Sequence, residues 1–266
     1  MIKEQHFTIR AHSYNEDRFV VTKHLLAVID GASGLVSEKK RGSGTDASRL
    51  AAYVKTELLR CREENIEQFL LKLSRRAYES GFNEGTSCGI SVVQFCKDTV
   101  RFYTVGDCEI IYRLRTGEVS RFYQPELPVL DDKAIEQMVQ YAKEHNVSVR
   151  EARPHLQDIL IRHRALMNTP NGYNVFAPSS APKFEVKTLE ISRAELQDLY
   201  LCTDGFLPCF TELGIFRHEG ELFSTSMSVK DICLQIQSIL RQDKDYNNYP
   251  RFKLFDDITA IRAELE

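Results

Sequence analysis

The sequence predicts one domain of the α+β class built on antiparallel sheet, and three observations predict it. The run Leu25-Leu26-Ala27-Val28-Ile29 is apolar throughout, as a strand buried on both faces must be. Residues 86–95, 100–106, 110–114 and 119–122 read as successive antiparallel strands, with Lys97-Asp98 and Arg115-Thr116-Gly117 as hairpin turns. Two stretches carry helical stripes: Leu50, Ala51, Val54 and Leu58, then Ile66, Phe69, Leu70, Leu73 and Ala77. No repeat, low-complexity tract or Gly/Ser/Pro linker divides the 266 residues, so 1–266 reads as a single domain.

Composition narrows the function classes. A hydrophobic fraction of 42% is ordinary for a globular protein. The net charge of −3 gives no electrostatic case for nucleic acid or an anionic membrane. No apolar run approaches the roughly 20 residues that span a bilayer. Met1 to His6 lack the apolar core of a signal peptide, so the expected location is cytoplasmic. The seven cysteines are scattered without Cys-x-x-Cys pairs, which indicates reduced core thiols rather than zinc or disulfides.

Taken in order, residues 5–10 and 18–23 read as short strands around His12-Ser13-Tyr14-Asn15-Glu16-Asp17-Arg18. The buried strand then ends in Asp30-Gly31-Ala32-Ser33-Gly34, whose small residues predict a tight turn. An isolated Asp-Gly there is usually a turn cap, and the sharper reading is a metal ligand. A hairpin of 18–23 with 24–30 sets Glu16, Asp17 and Asp30 at one sheet edge. Three carboxylates together repel unless a cation neutralises them. Residues 35–44, with Lys39-Lys40-Arg41, read as an exposed loop whose basic run is a solvated face.

Asp107 follows Val105-Gly106 between two of the predicted strands, where a bulge is the plain reading. Residues 124–182 break the strand pattern. Ile135, Met138, Val139 and Ala142 make a short amphipathic helix, Ser148-x-x-Glu151 resembles a capping box, and 166–182 read as irregular and mobile. Strands return at 184–191 and 198–203, and the second runs into Asp204-Gly205. Ser228-x-x-Asp231 caps a helix with Val229, Ile232, Ile236 and Ile239 inward. Asp256-Asp257 open the final strand. Core packing does not require this recurrence of acids at strand ends. All-carboxylate clusters suit hard cations such as magnesium or manganese, and paired ions activate water against phosphate esters.

Six stretches in this order resemble the motifs of the metal-dependent protein phosphatases of type 2C. They are Asn15-Glu16-Asp17-Arg18, Val28 to Gly34, Gly85-Thr86-Ser87, Thr104 to Cys108, Cys202 to Phe206 and Asp256 to Ile261, and they cover roughly residues 4 to 264. The resemblance implies a four-layer α-β-β-α sandwich of two antiparallel sheets flanked by helices. It implies a serine/threonine phosphatase of bacterial type that uses two Mn2+ or Mg2+ ions and a weaker third. Asp30 would bridge the two ions, with the Gly31 carbonyl on one of them. Glu16 would hold the second ion, Asp204 and Asp256 the first, and Asp107 the third. Asp17 and Asp257 would stand behind these ligands, and 124–182 would include the flap beside the site. The implied partners are a phosphorylated protein and the Ser/Thr kinase that modifies it.

Three positions depart from the pattern. His12 stands where the family has its phosphate-gripping Arg, leaving Arg10 as the substitute. Ala32 replaces the His that often follows Asp-Gly, and Pro208 replaces an Asp of the third-ion site. These departures leave a rival reading, a weak or inactive phosphatase-fold protein that binds a regulatory partner. A phosphatase acting on an anti-sigma-type regulator is a third reading, against which Glu16-Asp17 argues.

Overall fold

The structure is a computed structural model that describes residues 2–32, 44–63, 65–210 and 212–265. Ser33, Gly34 and the expected basic loop with Lys39-Lys40-Arg41 lie outside the described residues.

Among the described residues ten strands form two antiparallel sheets of five. The first sheet runs β1 (Ile2–Ile9), β10 (Ile258–Leu265), β9 (Leu196–Cys202), β6 (Glu109–Leu114), β7 (Val119–Phe122). The second runs β2 (Arg18–Val21), β3 (Leu25–Ala32), β4 (Ser87–Phe95), β5 (Thr99–Val105), β8 (Lys187–Ser192). Residues 25–29 of β3 are all buried, and their alternation serves two cores. Leu26 and Val28 meet Ile110, Leu199 and Ile261 between the sheets. Ala27 and Ile29 turn outward onto α1 (Asp46–Arg60) and α2 (Ile66–Glu79), through Leu50, Val54 and Leu70. On the far side, Tyr200, Cys202 and Ala260 pack beneath α6 (Glu219–Ser224) and α7 (Val229–Gln242). The result is the four-layer α-β-β-α sandwich that the motif resemblance implied.

Local chemistry explains the helix starts. Thr45 and Asn65 cap α1 and α2 by accepting the backbone N–H of Ser48 and Gln68. Ser228 and Asp231 make a full capping box on α7. In α7 the inward face includes Leu240, and Ile239 is only half-buried, one position from the expected stripe.

Two expectations are corrected. The strands from 86 to 122 are not one continuous meander. The hairpins β4–β5 and β6–β7 form, but β5 and β6 belong to different sheets, so the chain crosses between layers at Gly106-Asp107. Gly106 has φ +89°, and a Cβ there would stand 2.7 Å from the Cα of Gly89, so the crossing needs glycine. Gly31 and Ala32, expected to open a turn after Asp30, instead extend β3, with Ala32 opposite Ser87, and the rest of the expected turn lies outside the described residues.

The segment 124–182 forms α3 (Glu126–His145), α4 (Val149–Ala152) and α5 (Gln157–Ala165), with a 3-10 turn at Arg153–Leu156. The first helix is longer than its stripe suggested, because Pro128 falls in the first turn, where no intrahelical N–H is lost. These helices bury Met138, Ala142 and Leu156 in a cluster of their own with Tyr246, and Phe252 and Leu254 pack against it. Ser148 and Glu151 make the expected capping box, and 166–182 carry no helix or strand.

Candidate active site

Register alone brings the predicted acids to one end of the sandwich. Arg18 pairs with Ile29, so the loop carrying Glu16 and Asp17 lies beside the Asp30 end of β3. Asp30 is opposite Gly89, and the next residue, Ile90, is opposite Val105, two residues before Asp107. On the other sheet Glu109 is opposite Cys202, two residues before Asp204. The Thr203 N–H donates to the Thr259 carbonyl, which places Asp204 beside the start of β10, just after Asp256 and Asp257. Both sheets therefore deliver carboxylates to the same edge.

The carboxylates sense one another. Burial first, then Asp204, Asp17, Asp107 and Asp256, hold the Asp30 carboxyl well above the usual carboxylate range. Burial and Asp256 push Asp204 up to about 7, and a hydrogen bond with Asp30 works in the opposite direction. Burial raises Asp107 to about 6, with Asp131 and Asp256 adding to it. Asp17 is 1% exposed and is raised by the same burial. Its Oδ2 accepts the Thr203 hydroxyl at 2.8 Å, while its Oδ1 has no partner. The Oδ1 of Asp204 is likewise buried and unpartnered.

Glu16 accepts the Thr45 hydroxyl at the start of α1. Its backbone crosses directly over Gly31, where a Cβ would meet the Glu16 carbonyl at 2.8 Å and that of Ala47 at 3.0 Å. Gly31 is thus the residue that lets β3, α1 and the acidic loop close together. Arg18 holds that loop by donating to the Asn15 and Asp17 carbonyls, each at 2.6 Å. Asp257 does not face the cluster as a free carboxylate. It accepts the N–H of Ala11 at 2.6 Å and of Glu16 at 2.5 Å, a structural task.

The edge opens into a pocket of about 250 Å³ lined by Asp107, Asp131, Asp204, Lys253 and Asp256 among others. Pro208 lines it too. Asp131 and Lys253 escaped the sequence reading. Asp131 sits on α3, so it faces the site only because that segment folds over it, and burial and Asp204 push it to about 7. Lys253 ion-pairs with Asp256, three residues on, a spacing that could have flagged it. Arg10 and His12 do not line this pocket; both are exposed, and Arg10 donates to the Ser13 carbonyl at 3.3 Å.

Among the described residues no three His, Cys, Asp or Glu side chains stand closely enough to hold one ion as they are placed. Asp30 and Asp204 share a hydrogen bond, and Lys253 neutralises Asp256. The donor set nonetheless fits a hard divalent cation. It is all oxygen, it is buried with orphaned oxygens on Asp17 and Asp204, and its raised carboxyls lack enough positive charge.

No family profile matches the chain, and no curated protein matches it in sequence. Solved structures do. The serine/threonine phosphatase Stp1 from Staphylococcus aureus is 16% identical, with 100% of this chain and 96% of that chain covered and a TM-score of 0.60. The catalytic domain of the serine/threonine protein phosphatase PstP, in complex with two manganese ions, is 14% identical over 99% of this chain and 97% of that one, with a TM-score of 0.58. RsbX in complex with magnesium is 13% identical over 100% and 96%, with a TM-score of 0.53. The chain has the fold of these structures from end to end.

Proposed function

We propose that this chain is a metal-dependent phosphatase acting on phosphoserine and phosphothreonine in proteins. The observation that carries the reading is the convergence of Asp30, Asp107, Asp204 and Asp256 from both sheets, with burial raising the carboxyls of Asp30, Asp107 and Asp204, and with Asp107, Asp204 and Asp256 lining an open pocket. The shared fold of serine/threonine phosphatases supports the choice of reaction.

Asp30 would bridge two Mn2+ or Mg2+ ions, with Gly31 on one of them, Glu16 on the second, and Asp204 and Asp256 on the first. Asp107 would serve a weaker third ion. When bound, the ions supply an activated water and neutralise phosphoryl oxygens. The chain's own work is positional. Thr45 and Asp257 orient Glu16 and its loop, and Thr203 orients Asp17. The two sheets bring Asp30 and Asp204 into hydrogen-bond contact, a bond that an arriving ion would displace.

The test is hydrolysis of para-nitrophenyl phosphate and of a phosphothreonine peptide with Mn2+, with Mg2+ and with EDTA. Turnover should need the added cation and vanish with chelator. Undiminished turnover after exhaustive chelation would remove the metal assignment. No turnover under any condition would remove the phosphatase reading.

A further inference from the structure

We propose that Lys253 holds the phosphoryl oxygens of the substrate, the task that the resemblance gives to an Arg where this chain has His12. The inference rests on the phosphatase reading for the identity of the substrate and on an ion at Asp256 for the anion site. A phosphoryl group at this acidic edge needs a cationic side chain facing it.

Most arginines near the site have other work. Arg18 is bound to the Asn15, Asp17 and Ser48 carbonyls. Arg251, which shares the pocket, bonds Asp243 and the carbonyls of Leu240, Asp243, Tyr249 and Leu254. Arg164 donates to the Ser87 hydroxyl at 2.9 Å. Lys253 differs. Its ammonium meets Asp256, its side chain is 50% exposed against 28% for Asp256, and it lines the pocket beside Asp204 and Asp107. It therefore stands on the open side of a carboxylate proposed to hold an ion.

Its base is rigid. The Arg251 guanidinium ties the main chain on both sides of Lys253, and Phe252 and Leu254 pack against the cluster of α3 to α5. A cation on Asp256 would repel the ammonium and free it toward the pocket. The stable occupant between two such positive charges is an anion, and an ammonium on a flexible four-carbon stem can follow it.

The experiment measures binding of inorganic phosphate to the Mn2+-loaded full chain by calorimetry, for wild type, Lys253→Met and Lys253→Arg. It is paired with kcat and KM on the phosphothreonine peptide and with a Mn2+ titration made without phosphate. Lys253→Met should weaken phosphate binding and raise KM by about tenfold or more, the worth of one charge-assisted contact. The change in kcat should be smaller, because the grip is made in ground and transition states alike. Lys253→Arg should regain most of the affinity. Mn2+ should bind Lys253→Met as tightly as wild type or more so, since a competing cation is gone. Unchanged phosphate binding in Lys253→Met overturns the proposal and leaves Lys253 as a counter-charge for Asp256 alone. Loss of Mn2+ binding in that variant overturns it as well. If wild type binds phosphate through Lys253 yet turns nothing over, the phosphatase reading falls and the anion site stands.

Discussion

Asp257 accepts the backbone N–H of Glu16 at 2.5 Å, across 241 positions of sequence. With the Ala11 N–H at 2.6 Å on its other oxygen, it pins the acidic loop to the start of the last strand. The neighbouring Asp256 points instead toward Lys253 and the pocket. Adjacent residues of one chemistry thus carry two tasks, one holding the site together and one facing the ligand.

Asp257→Ala should cost stability and function together. Removing the acceptor strands two backbone donors, at about 1–3 kcal/mol for each that finds no new partner. The urea midpoint should fall, and Mn2+ affinity should drop because Glu16 loses its anchor. Asp257→Asn keeps one acceptor oxygen and should lose less. An unchanged midpoint for Asp257→Ala would mean that water replaces the carboxylate.

Melting of the metal-free protein should depend on pH in a particular sense. Asp204 at about 7 and Asp107 at about 6 lie above the roughly 4 of an unfolded aspartate. The folded chain therefore keeps protons that the unfolded chain has released. The stability these groups contribute is complete below about pH 4 and is lost as pH rises through about 6 to 7. Metal-free protein should melt lower at pH 8 than at pH 5.5, and added Mn2+ should raise the melt most at pH 8, where it no longer competes with protons. A metal-free melt that rises over that interval would show that other groups dominate.

Asp30→Asn tests the cluster directly. It removes the charge that Asp204, Asp17, Asp107 and Asp256 all oppose, while nearly preserving shape. Turnover should be abolished, and the metal-free variant at pH 8 should melt at or above wild type. A variant that keeps turnover would exclude Asp30 from the metal site. Equal inactivity of wild type and variant on both substrates would favour the rival reading of a binding protein.

Gly106→Ala should be costlier than Gly117→Ala. Both glycines have positive φ, at +89° and +90°, so the backbone strain is shared, at about 1–3 kcal/mol. Only at Gly106 would the new methyl strike Gly89, whereas nothing lies within 4 Å at Gly117. Equal falls in urea midpoint would show that the sheet crossing relaxes to admit the methyl.

The strands, the capped helices and the order of the acidic motifs can all be read from the residues along the chain. Buried β3, with every residue from Leu25 to Ile29 inside, is legible because period and composition are local properties. Asp30, Asp204 and Asp256 were legible for the same reason, since each sits beside a strand end that the pattern marks. The packed fold set β5 and β6 into different sheets, because strand pairing depends on which faces are left to bury. It also decided that Asp257 staples a loop while Asp256 faces the pocket, a division set by which backbone donors come near. Asp131 reached the site only through packing, on a helix folded over the edge, and its role rests on contacts between segments far apart in the chain that no local pattern of residues encodes. Lys253 stands three residues from Asp256, a local relationship, and what the fold adds is the Arg251 guanidinium that holds its loop.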